Sequence, residues 1–189
     1  MRKLPKTNYA KYMILGLLSC APMTGYDIKK WADEFLKYLL MDMSYGQIYP
    51  ILNRLEKEEL ATVVIGTSGK RKESKTYKIT KKGLDELRAW VRSPDTKEYD
   101  LLLKVCFGSL IPRDELVRKL EAYQKKRADE LLMMEQYLPE AGNEAIFGPN
   151  APYMMLITIL GLSYFREEVI WCNQAIALLE RRKGSNSYR

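Results

Sequence analysis

A row of hydrogen-bonding side chains lies along one side of the segment SYGQIYPILNRLEKEEL, residues 44–60. The apolar residues of this segment, from Ile48 to Leu55, recur at the spacing of one helix face, so the polar groups project from the opposite face. Hydroxyl and carboxamide groups on a helix surface are suited to bond base edges and phosphates in the major groove of DNA. We therefore predict that residues 44–60 form a recognition helix that reads DNA through Ser44, Tyr45, Gln47, Tyr49 and Asn53.

Pro50 stands inside this predicted helix. A proline lacks the N–H that would bond to the Gly46 carbonyl, and in an ordinary helix interior it costs about 3 kcal/mol. The periodicity places Pro50 on the exposed face, where water or a partner can satisfy the carbonyl of Gly46. Two interpretations remain open: the proline bends the helix to suit docking on DNA, or it is simply tolerated there.

A cluster of positive charge follows in the segment GTSGKRKESKTYK, residues 66–78. Two β-branched or alternating runs flank it, which predicts a β-hairpin with a basic tip. Such a run is often only a solvated loop, but beside a recognition helix it can contact the phosphate backbone or the minor groove. We predict DNA contact through this wing, whose candidate residues are Lys70, Arg71, Lys72 and Lys75.

The charge and composition of the chain favour a nucleic-acid-binding protein over an enzyme. Residues 1–92 carry 18 Lys and Arg against 10 Asp and Glu, whereas residues 93–189 carry 13 against 14. A basic first half is typical of a protein that meets a polyanion, although a generic basic surface has the same composition. The chain has no histidine, no metal-binding cluster and no phosphate-binding glycine loop, so we expect no enzyme activity, no metal and no cofactor.

The cysteines and the apolar segments predict a cytoplasmic protein. Cys20, Cys106 and Cys172 are far apart in apolar surroundings, which predicts three buried thiols in a reducing compartment; redox sensing is the alternative. No signal peptide is apparent at the start of the sequence. The most membrane-like run, Ala151–Phe165, has 15 residues and falls short of the roughly 20 needed to cross a bilayer, so we expect no membrane association.

The elements of residues 1–92 follow the order helix, helix, helix, strand, strand, helix. Capping patterns at Thr24 with Asp27 and at Ser44 with Gln47 predict the starts of the second and third helices, and Thr80 predicts that of the fourth. This order, with a basic hairpin tip, predicts a winged helix-turn-helix domain with a two-stranded wing. The fold class is therefore mainly α, with this domain first and an all-helical domain after it.

The turn residues Ser93, Pro94 and Asp95 predict a domain boundary, after which residues 93–189 are helical. A long helix carries an apolar stripe that Arg127 interrupts, and the last helix is apolar on nearly all sides of its first half, so it must be covered on all sides. We predict that a second copy of the chain covers it, in a homodimer formed through residues 99–182. The candidate dimerisation residues are Leu116, Leu120, Tyr123, Leu131, Met134, Leu156, Ile159 and Leu160.

Three short motifs occur in order in the first half of the chain: GYDI at residues 25–28, YPILNRLE at 49–56 and YKITKKG at 77–83. In these motifs the chain resembles the PadR family of bacterial transcriptional regulators, whose hallmarks are G-Y-[ED]-[IL], Y-P-x-L-x-x-L-E and Y-x-[IL]-T-x-x-G. The second half is similar, more loosely, to the dimerisation domain of PadR-like and AphA-like regulators. The wing departs from the family, because Gly69-Lys70-Arg71-Lys72 lacks the proline found in many members.

The resemblance implies a homodimeric, sequence-specific regulator, often a repressor, that binds double-stranded operator DNA of near-palindromic sequence. Some members release DNA when an aromatic compound binds near the dimer interface. Trp31, Trp90, Trp171 and Phe107 are candidates to line such a pocket; the competing interpretation is that they belong to the core, and we name no ligand. The alternative function is a winged-helix adaptor that binds protein or RNA rather than DNA.

Overall fold

The structure is a computed structural model, and it describes residues 9–36, 43–66, 74–95 and 100–181, without the side chains at 35, 36 and 74. The chain divides into two compact units. The first ends at Ile111 and the second begins at Pro112.

The first unit has the predicted order of helices and strands. Its helices are α1 Tyr9–Cys20, α2 Gly25–Trp31 with a π-helical extension Ala32–Leu36, α3 Tyr45–Lys57, α4 Lys81–Arg92 and α5 Asp100–Val105, followed by a 3-10 turn Gly108–Leu110. Its strands are β1 Met23–Thr24, β2 Ala61–Gly66 and β3 Ser74–Ile79. The predicted winged helix-turn-helix arrangement is confirmed, and the predicted recognition helix is α3.

Within the described residues the three strands form one antiparallel sheet in the order β1–β3–β2. The predicted hairpin is β2 with β3, in a register that runs from Ala61 opposite Ile79 to Gly66 opposite Ser74. The third strand, β1, was not predicted, because two residues are too few to show an alternating pattern. It pairs Met23 with Tyr77 and so connects the start of α2 to the centre of the hairpin.

Side chains cap the helices where the sequence predicts. At α2, the amide N–H of Asp27 donates to Thr24 Oγ1 (3.1 Å) and the N–H of Thr24 donates to the Asp27 carboxylate (2.9 Å). At α3, the N–H of Ser44 donates to Gln47 Oε1 over 3.0 Å. These bonds satisfy N–H groups that a helix start leaves without a partner, and they fix where each helix begins.

Each of the first four helices turns an apolar stripe toward a common core. The most deeply buried residues of this core come from all four helices and include Ile14, Ile28, Ile48, Leu52, Leu55, Leu87 and Val91. Burying such side chains is the main stabilising term of a domain of this size. The stripe of α3 therefore holds one face of that helix inside and leaves the opposite face to solvent.

The segment of residues 100–111 packs on the first unit rather than apart from it. The Tyr9 hydroxyl donates a short hydrogen bond to the buried carboxylate of Asp100. Phe107 lies against Gly16 on α1, where a Cβ would stand about 2.0 Å from the ring. Only glycine allows this approach. The predicted domain boundary, between residues 92 and 93, precedes this segment, whereas the compact units divide after Ile111.

Lys104 anchors the same segment and is only 1% exposed. Its Nζ atom donates to the carbonyl oxygens of Ser93 (2.9 Å) and Pro94 (3.1 Å) and to the carboxylate of Asp95 (2.9 Å). It also lies 5.7 Å from the centre of the Trp90 ring. A buried ammonium needs several partners of this kind, and here it fixes the chain just beyond the C-terminus of α4.

The second unit is helical, as predicted. Its long helices are α6 Arg113–Ala141 and α8 Ala151–Arg181. Residues 139–152 are rich in Gly, Asn and Pro, and this composition predicts a loop. The structure corrects that prediction, because the segment contains the short helix α7 Glu144–Phe147 and a 3-10 turn Gly148–Asn150. Gly, Asn and Pro mislead here because Asn143 caps α7, accepting from the N–H of Ala145 over 2.9 Å, and Gly148 ends it at φ 54°.

Helices α6 and α8 pack antiparallel around a buried arginine. Arg127, which interrupts the apolar stripe, is 3% exposed, and its Nε atom lies 2.9 Å from Oε2 of Glu168 on α8 in the geometry of an ion pair. Its Nη1 atom lies 2.5 Å from Glu130. The Tyr123 hydroxyl donates to Glu168 over 2.8 Å, and burial followed by this bond raises the pKa of Tyr123. The phenol therefore stays protonated at neutral pH.

The thiols depart from the prediction of three buried groups. Cys172 is buried, and burial raises its pKa to about 11, whereas Cys20 and Cys106 are exposed. Cys20 is the last residue of α1 and Cys106 follows the end of α5. Apolar neighbours in sequence do not bury a side chain at a helix end, because the chain turns away there.

We predict that Arg127→Met lowers the free energy of unfolding by about 3–5 kcal/mol, because it leaves the Glu168 carboxylate buried without its cation. The double variant Arg127→Met/Glu168→Gln should lose less free energy of unfolding than the single variant Arg127→Met. Urea denaturation at one fixed protein concentration measures both.

Arg118→Met is the matched control on α6, because Arg118 forms an exposed ion pair with Asp114 (2.7 Å) and should change stability little. Equal losses from Arg127→Met and Arg118→Met would contradict the assigned importance of the buried pair.

Candidate DNA-binding surface and candidate dimerisation surface

The predicted DNA-reading residues of α3 are exposed. Ile48, Leu52 and Leu55 are buried on one face. The opposite face and the first turn are open to solvent and carry Ser44, Tyr45, Gln47, Tyr49, Pro50 and Asn53. The helix continues without interruption through Pro50. The structure thus places the predicted polar groups together on one surface of the first unit.

Tyr45 and Tyr49 form a stacked pair on this surface, with ring centres 6.0 Å apart and planes inclined by 20°. Tyr49 also lies against Gly25, the first residue of α2, where a Cβ would stand 2.7 Å from the Tyr49 ring. The two rings are therefore held by each other and by the backbone of the preceding helix. An ordered pair loses less side-chain entropy when its hydroxyl groups bind a partner.

The C-terminal end of α3 is held by a lysine that the sequence pattern did not indicate. Lys11 on α1 lies 2.8 Å from a carboxylate oxygen of Glu58 and 2.7 Å from one of Glu86. Burial by itself lowers the pKa of Lys11, but the two carboxylates outweigh it and hold the pKa above its usual value. The bond from Lys11 in turn lowers the pKa of Glu58. The charges of Lys11 and Glu58 are therefore both present at neutral pH.

The predicted wing is described in part. Lys75 is exposed on β3, opposite Ile65 in the register of the hairpin. Lys70, Arg71 and Lys72 lie outside the described residues. On β2, Val64 and Ile65 are exposed. The strand lies at the edge of the sheet.

The eight predicted dimerisation residues separate into two groups. Leu116 and Leu120 are buried within a single chain. Tyr123, Leu131 and Met134 are half-buried, and the Met134 side chain lies over Gly161 of α8. Leu156, Ile159 and Leu160 are exposed, Leu160 by 66%. Much of the α6 stripe is therefore already used inside the chain, while α8 keeps an uncovered apolar face.

The exposed apolar residues of α8 extend beyond those predicted. The outer stripe of α8 consists of Tyr153, Leu156, Ile157, Leu160 and Tyr164, all exposed and separated by helical spacings. Single exposed apolar residues are ordinary, but a contiguous row of this kind marks an interaction surface.

The described residues contain one helical stretch, Glu144–Arg181, that is long and apolar enough to cross a bilayer by length and composition. Its continuous helix begins at Ala151 and has 15 uncharged residues before Arg166, Glu167 and Glu168. At 1.5 Å per residue these span about 22 Å, less than the roughly 30 Å of a bilayer core. Arg166 is paired with Glu135 of α6 (3.1 Å), and Glu168 with Arg127, which favours packing against protein.

Two of the aromatic residues suggested for an effector pocket have packing roles. The Trp90 ring stacks on Tyr12 with centres 4.5 Å apart, and Phe107 is buried against Gly16. Trp31 is exposed on α2, and Trp171 is half-buried on α8. For Phe107 the structure agrees with the interpretation as a core residue, whereas Trp90 is half-buried in its stack on Tyr12.

Comparison with known families matches both parts of the chain. The family described as transcriptional regulator PadR-like matches residues 14–89. The family described as virulence activator alpha, C-terminal, matches residues 99–180. The first match contains α3 and the hairpin, and the second contains α6 and α8.

The negative transcriptional regulator PadR of Bacillus subtilis is 28% identical over 179 residues, which are 90% of this chain and 97% of the relative. Its crystal structure with operator DNA is 26% identical, with 93% and 99% of the two chains covered and a TM-score of 0.44. Its structure with p-coumaric acid is 25% identical, with 94% and 98% covered and a TM-score of 0.40.

Two further relatives have solved structures. The virulence activator AphA of Vibrio cholerae is 21% identical, with 91% of this chain and 98% of that chain covered and a TM-score of 0.39. A PadR-like transcription factor from Bacteroides fragilis is 30% identical, with 41% of this chain and 71% of that chain covered and a TM-score of 0.37. The sequence matches carry the assignment: the chain belongs to the PadR-like family of transcriptional regulators, which is a family of regulators and not of enzymes.

Proposed function

We propose that this regulator acts as a homodimer that binds a specific operator sequence. In this proposal α3 enters the major groove with Ser44, Tyr45, Gln47, Tyr49 and Asn53 toward the bases. The basic tip of the hairpin, with Lys70, Arg71, Lys72 and Lys75, contacts the phosphate backbone or the minor groove.

One observation carries the proposal for DNA: the buried stripe of α3 leaves an ordered polar surface outside. Ile48, Leu52 and Leu55 fix the rotation of the helix, while the stacked pair Tyr45–Tyr49 is supported by Gly25. A carboxamide such as that of Asn53 can bond an adenine edge at two points. Groups held in place in this way suit sequence-specific contacts rather than a general attraction to charge.

The charge of the chain supports a division of labour. The first half carries the excess of positive charge, and residues 1–92 are proposed to bind DNA, whereas the second unit, which begins at Pro112, is proposed to form the dimer. Since residues 100–111 pack on the first unit through Asp100 and Phe107, we assign that segment to the support of the DNA-binding domain.

The outer stripe of α8 supports the proposal of a dimer. A second copy is the economical cover for it, because every chain presents the same stripe and a two-fold axis makes such a surface complementary to itself. Of the predicted dimerisation residues, Leu156 and Leu160 lie in this stripe, and Ile159 is also exposed on α8. Leu116 and Leu120, being buried already, support the surface from inside the chain.

A symmetric dimer presents two copies of α3, and two copies read two half-sites in opposite orientation. We therefore propose a near-palindromic operator. The sign of regulation is extended from the curated relative, which is named a negative regulator, so we propose repression. Since operator DNA lies in the bacterial cytoplasm, we place the protein there.

A small aromatic effector is proposed on the same basis, because the relative from Bacillus subtilis has been crystallised with p-coumaric acid. Addition of p-coumaric acid to the protein–DNA complex tests it directly. No residue of this chain is assigned to the effector.

We predict nanomolar binding to a duplex selected by the protein from a random pool, or found upstream of its own gene, with an affinity that falls steeply as salt rises. Fluorescence anisotropy over a salt series, with random duplex as the reference, measures both affinity and selectivity. Equal affinity for selected and random duplex at every salt concentration would reject specific DNA binding. Preference for single-stranded RNA or for a protein would favour the adaptor function instead.

We predict that Asn53→Ala relaxes the sequence preference by about 1–3 kcal/mol at one base position, because its carboxamide reads a base edge. Lys75→Ala should weaken all duplexes about equally and reduce the salt slope by about one, because it contacts phosphate. Binding to a panel of single-base variants separates the two effects. The reverse pattern would show that the roles of α3 and the hairpin are exchanged.

We predict that Leu160→Glu converts the dimer to a monomer, because it places a charge in the middle of the outer stripe of α8. Sedimentation equilibrium over a range of protein concentrations measures the change. Leu132→Glu is the matched control: Leu132 is also an exposed leucine, but it lies on α6 outside the stripe. A dimer that survives Leu160→Glu, or that Leu132→Glu disrupts equally, contradicts the placement of the interface.

A further inference from the structure

A single lysine joins the C-terminal end of α3 to two other helices. The Nζ atom of Lys11 on α1 lies 2.8 Å from a carboxylate oxygen of Glu58, the C-cap residue that follows α3. It also lies 2.7 Å from a carboxylate oxygen of Glu86 on α4. We call these three residues the Lys11 brace. The Lys11 side chain is only 13% exposed, and its ammonium group is occupied by the two partly exposed carboxylates.

The position of Glu58 calls for a cation beside it. A carboxylate at the C-terminus of a helix opposes the helix dipole and is unfavourable unless a positive group offsets it. Lys11 bonds the carboxylate of Glu58, while Lys82 on α4 donates to the Glu58 carbonyl oxygen over 2.8 Å. Lys82 also lies 3.3 Å from the carboxylate of Glu59, which has the positive φ of 60°. The acidic end of α3 is therefore tied to α1 and α4 by cations on those helices.

The brace lies at the opposite end of α3 from the first turn. The helix has 13 residues and is about 20 Å long. A tilt of about 5° around the brace would move the first turn by nearly 2 Å, which is more than a hydrogen bond to a base edge tolerates. A contact that adds little stability can therefore have a large effect on recognition.

We propose that Lys11 is a positioning residue for DNA recognition, which acts through Glu58 and Glu86 to fix the tilt of α3 in the major groove. This inference rests on the proposed function, because it requires α3 to read the bases. The buried stripe of α3 sets which face of the helix looks outward. The brace sets the angle at which that face is presented.

Two simpler roles for Lys11 are a contribution to stability and a phosphate contact. A partly exposed ion pair contributes little to stability, and the core around Leu52 and Leu55 already holds α3 in the domain. A phosphate contact would require an ammonium group directed to solvent, whereas that of Lys11 is occupied by two carboxylates. Positioning is the role that this geometry supports.

The experiment measures binding of the full-length protein to the selected duplex and to random duplex over a salt series. Lys11→Met, Glu58→Gln and Glu86→Gln should each weaken binding to the selected duplex, and lower its affinity relative to random duplex by about tenfold, the size of one lost base contact. Lys11→Arg should retain selective binding, because a guanidinium can bridge both carboxylates. Thermal unfolding of each variant shows that it is folded at the temperature of the assay.

The glutamate variants separate positioning from simple electrostatics. Removal of a negative charge from a DNA-binding domain should strengthen binding to every duplex if charge alone matters. Positioning predicts the opposite for the selected duplex. Asp85→Asn is the matched control, because it removes the neighbouring charge on α4 and disturbs only an exposed pair with Arg88 (3.4 Å). It should not lower binding to the selected duplex.

Three results would overturn the inference. One is wild-type or tighter binding of the selected duplex by Glu58→Gln and Glu86→Gln. Another is an equal loss on both duplexes by Lys11→Met with a salt slope reduced by about one, which identifies a phosphate contact. The third is an equal loss of selective binding in Asp85→Asn.

Asn53→Ala in the same assay distinguishes failure of the brace from failure of the proposed function. If Asn53→Ala relaxes the preference but the brace variants do not, the positioning role alone is rejected. If Asn53→Ala leaves the preference unchanged, the reading role of α3 is rejected, and the positioning role with it.

Discussion

The burial of one face of α3 is the constraint on which the proposed DNA-binding surface depends. Ile48, Leu52 and Leu55 enter the core, and a helix that rotated about its axis would expose them at a cost of about 1.5–3 kcal/mol for each fully exposed side chain. Because this cost fixes the rotation, the side chain of Asn53 must face outward. The polar surface is thus a consequence of apolar packing on the other side of the same helix.

Rotation alone does not define a reading surface, and the other restraints come from elements distant in sequence. The Ser44–Gln47 cap sets the residue at which α3 begins, and Gly25 of α2 leaves room for the Tyr49 ring. Pro50 also depends on which face of α3 is exposed. It lies on the exposed face, where water can reach the Gly46 carbonyl, to which Pro50 has no N–H to donate, so the helix continues through it at a lower cost than in a buried position.

Local patterns predicted what is local in this fold. The caps at Thr24 and Ser44, the periodicity of α3 and the alternation of the hairpin each depend on residues close in sequence, and the structure has all of them. The brace on Lys11 and the anchor at Lys104 depend on partners brought together by folding, and neither had a pattern to reveal it. The strand β1 was not predicted for another reason, because two residues are too few to show an alternating pattern.

In the second unit a polar cluster determines which apolar surface is left outside. Arg127, Glu168 and Tyr123 can all find their partners only in one register of α6 against α8, whereas apolar contacts alone would tolerate several. A slip of one residue along α8 would turn its outer stripe by about 100° and carry Leu160 away from the surface it now shares with Tyr153 and Tyr164. Arg127, which interrupts the apolar stripe of α6, therefore helps to determine which residues of α8 form its exposed outer stripe. A specific contact between two chains through this stripe would therefore depend on the pairing of polar side chains inside each chain.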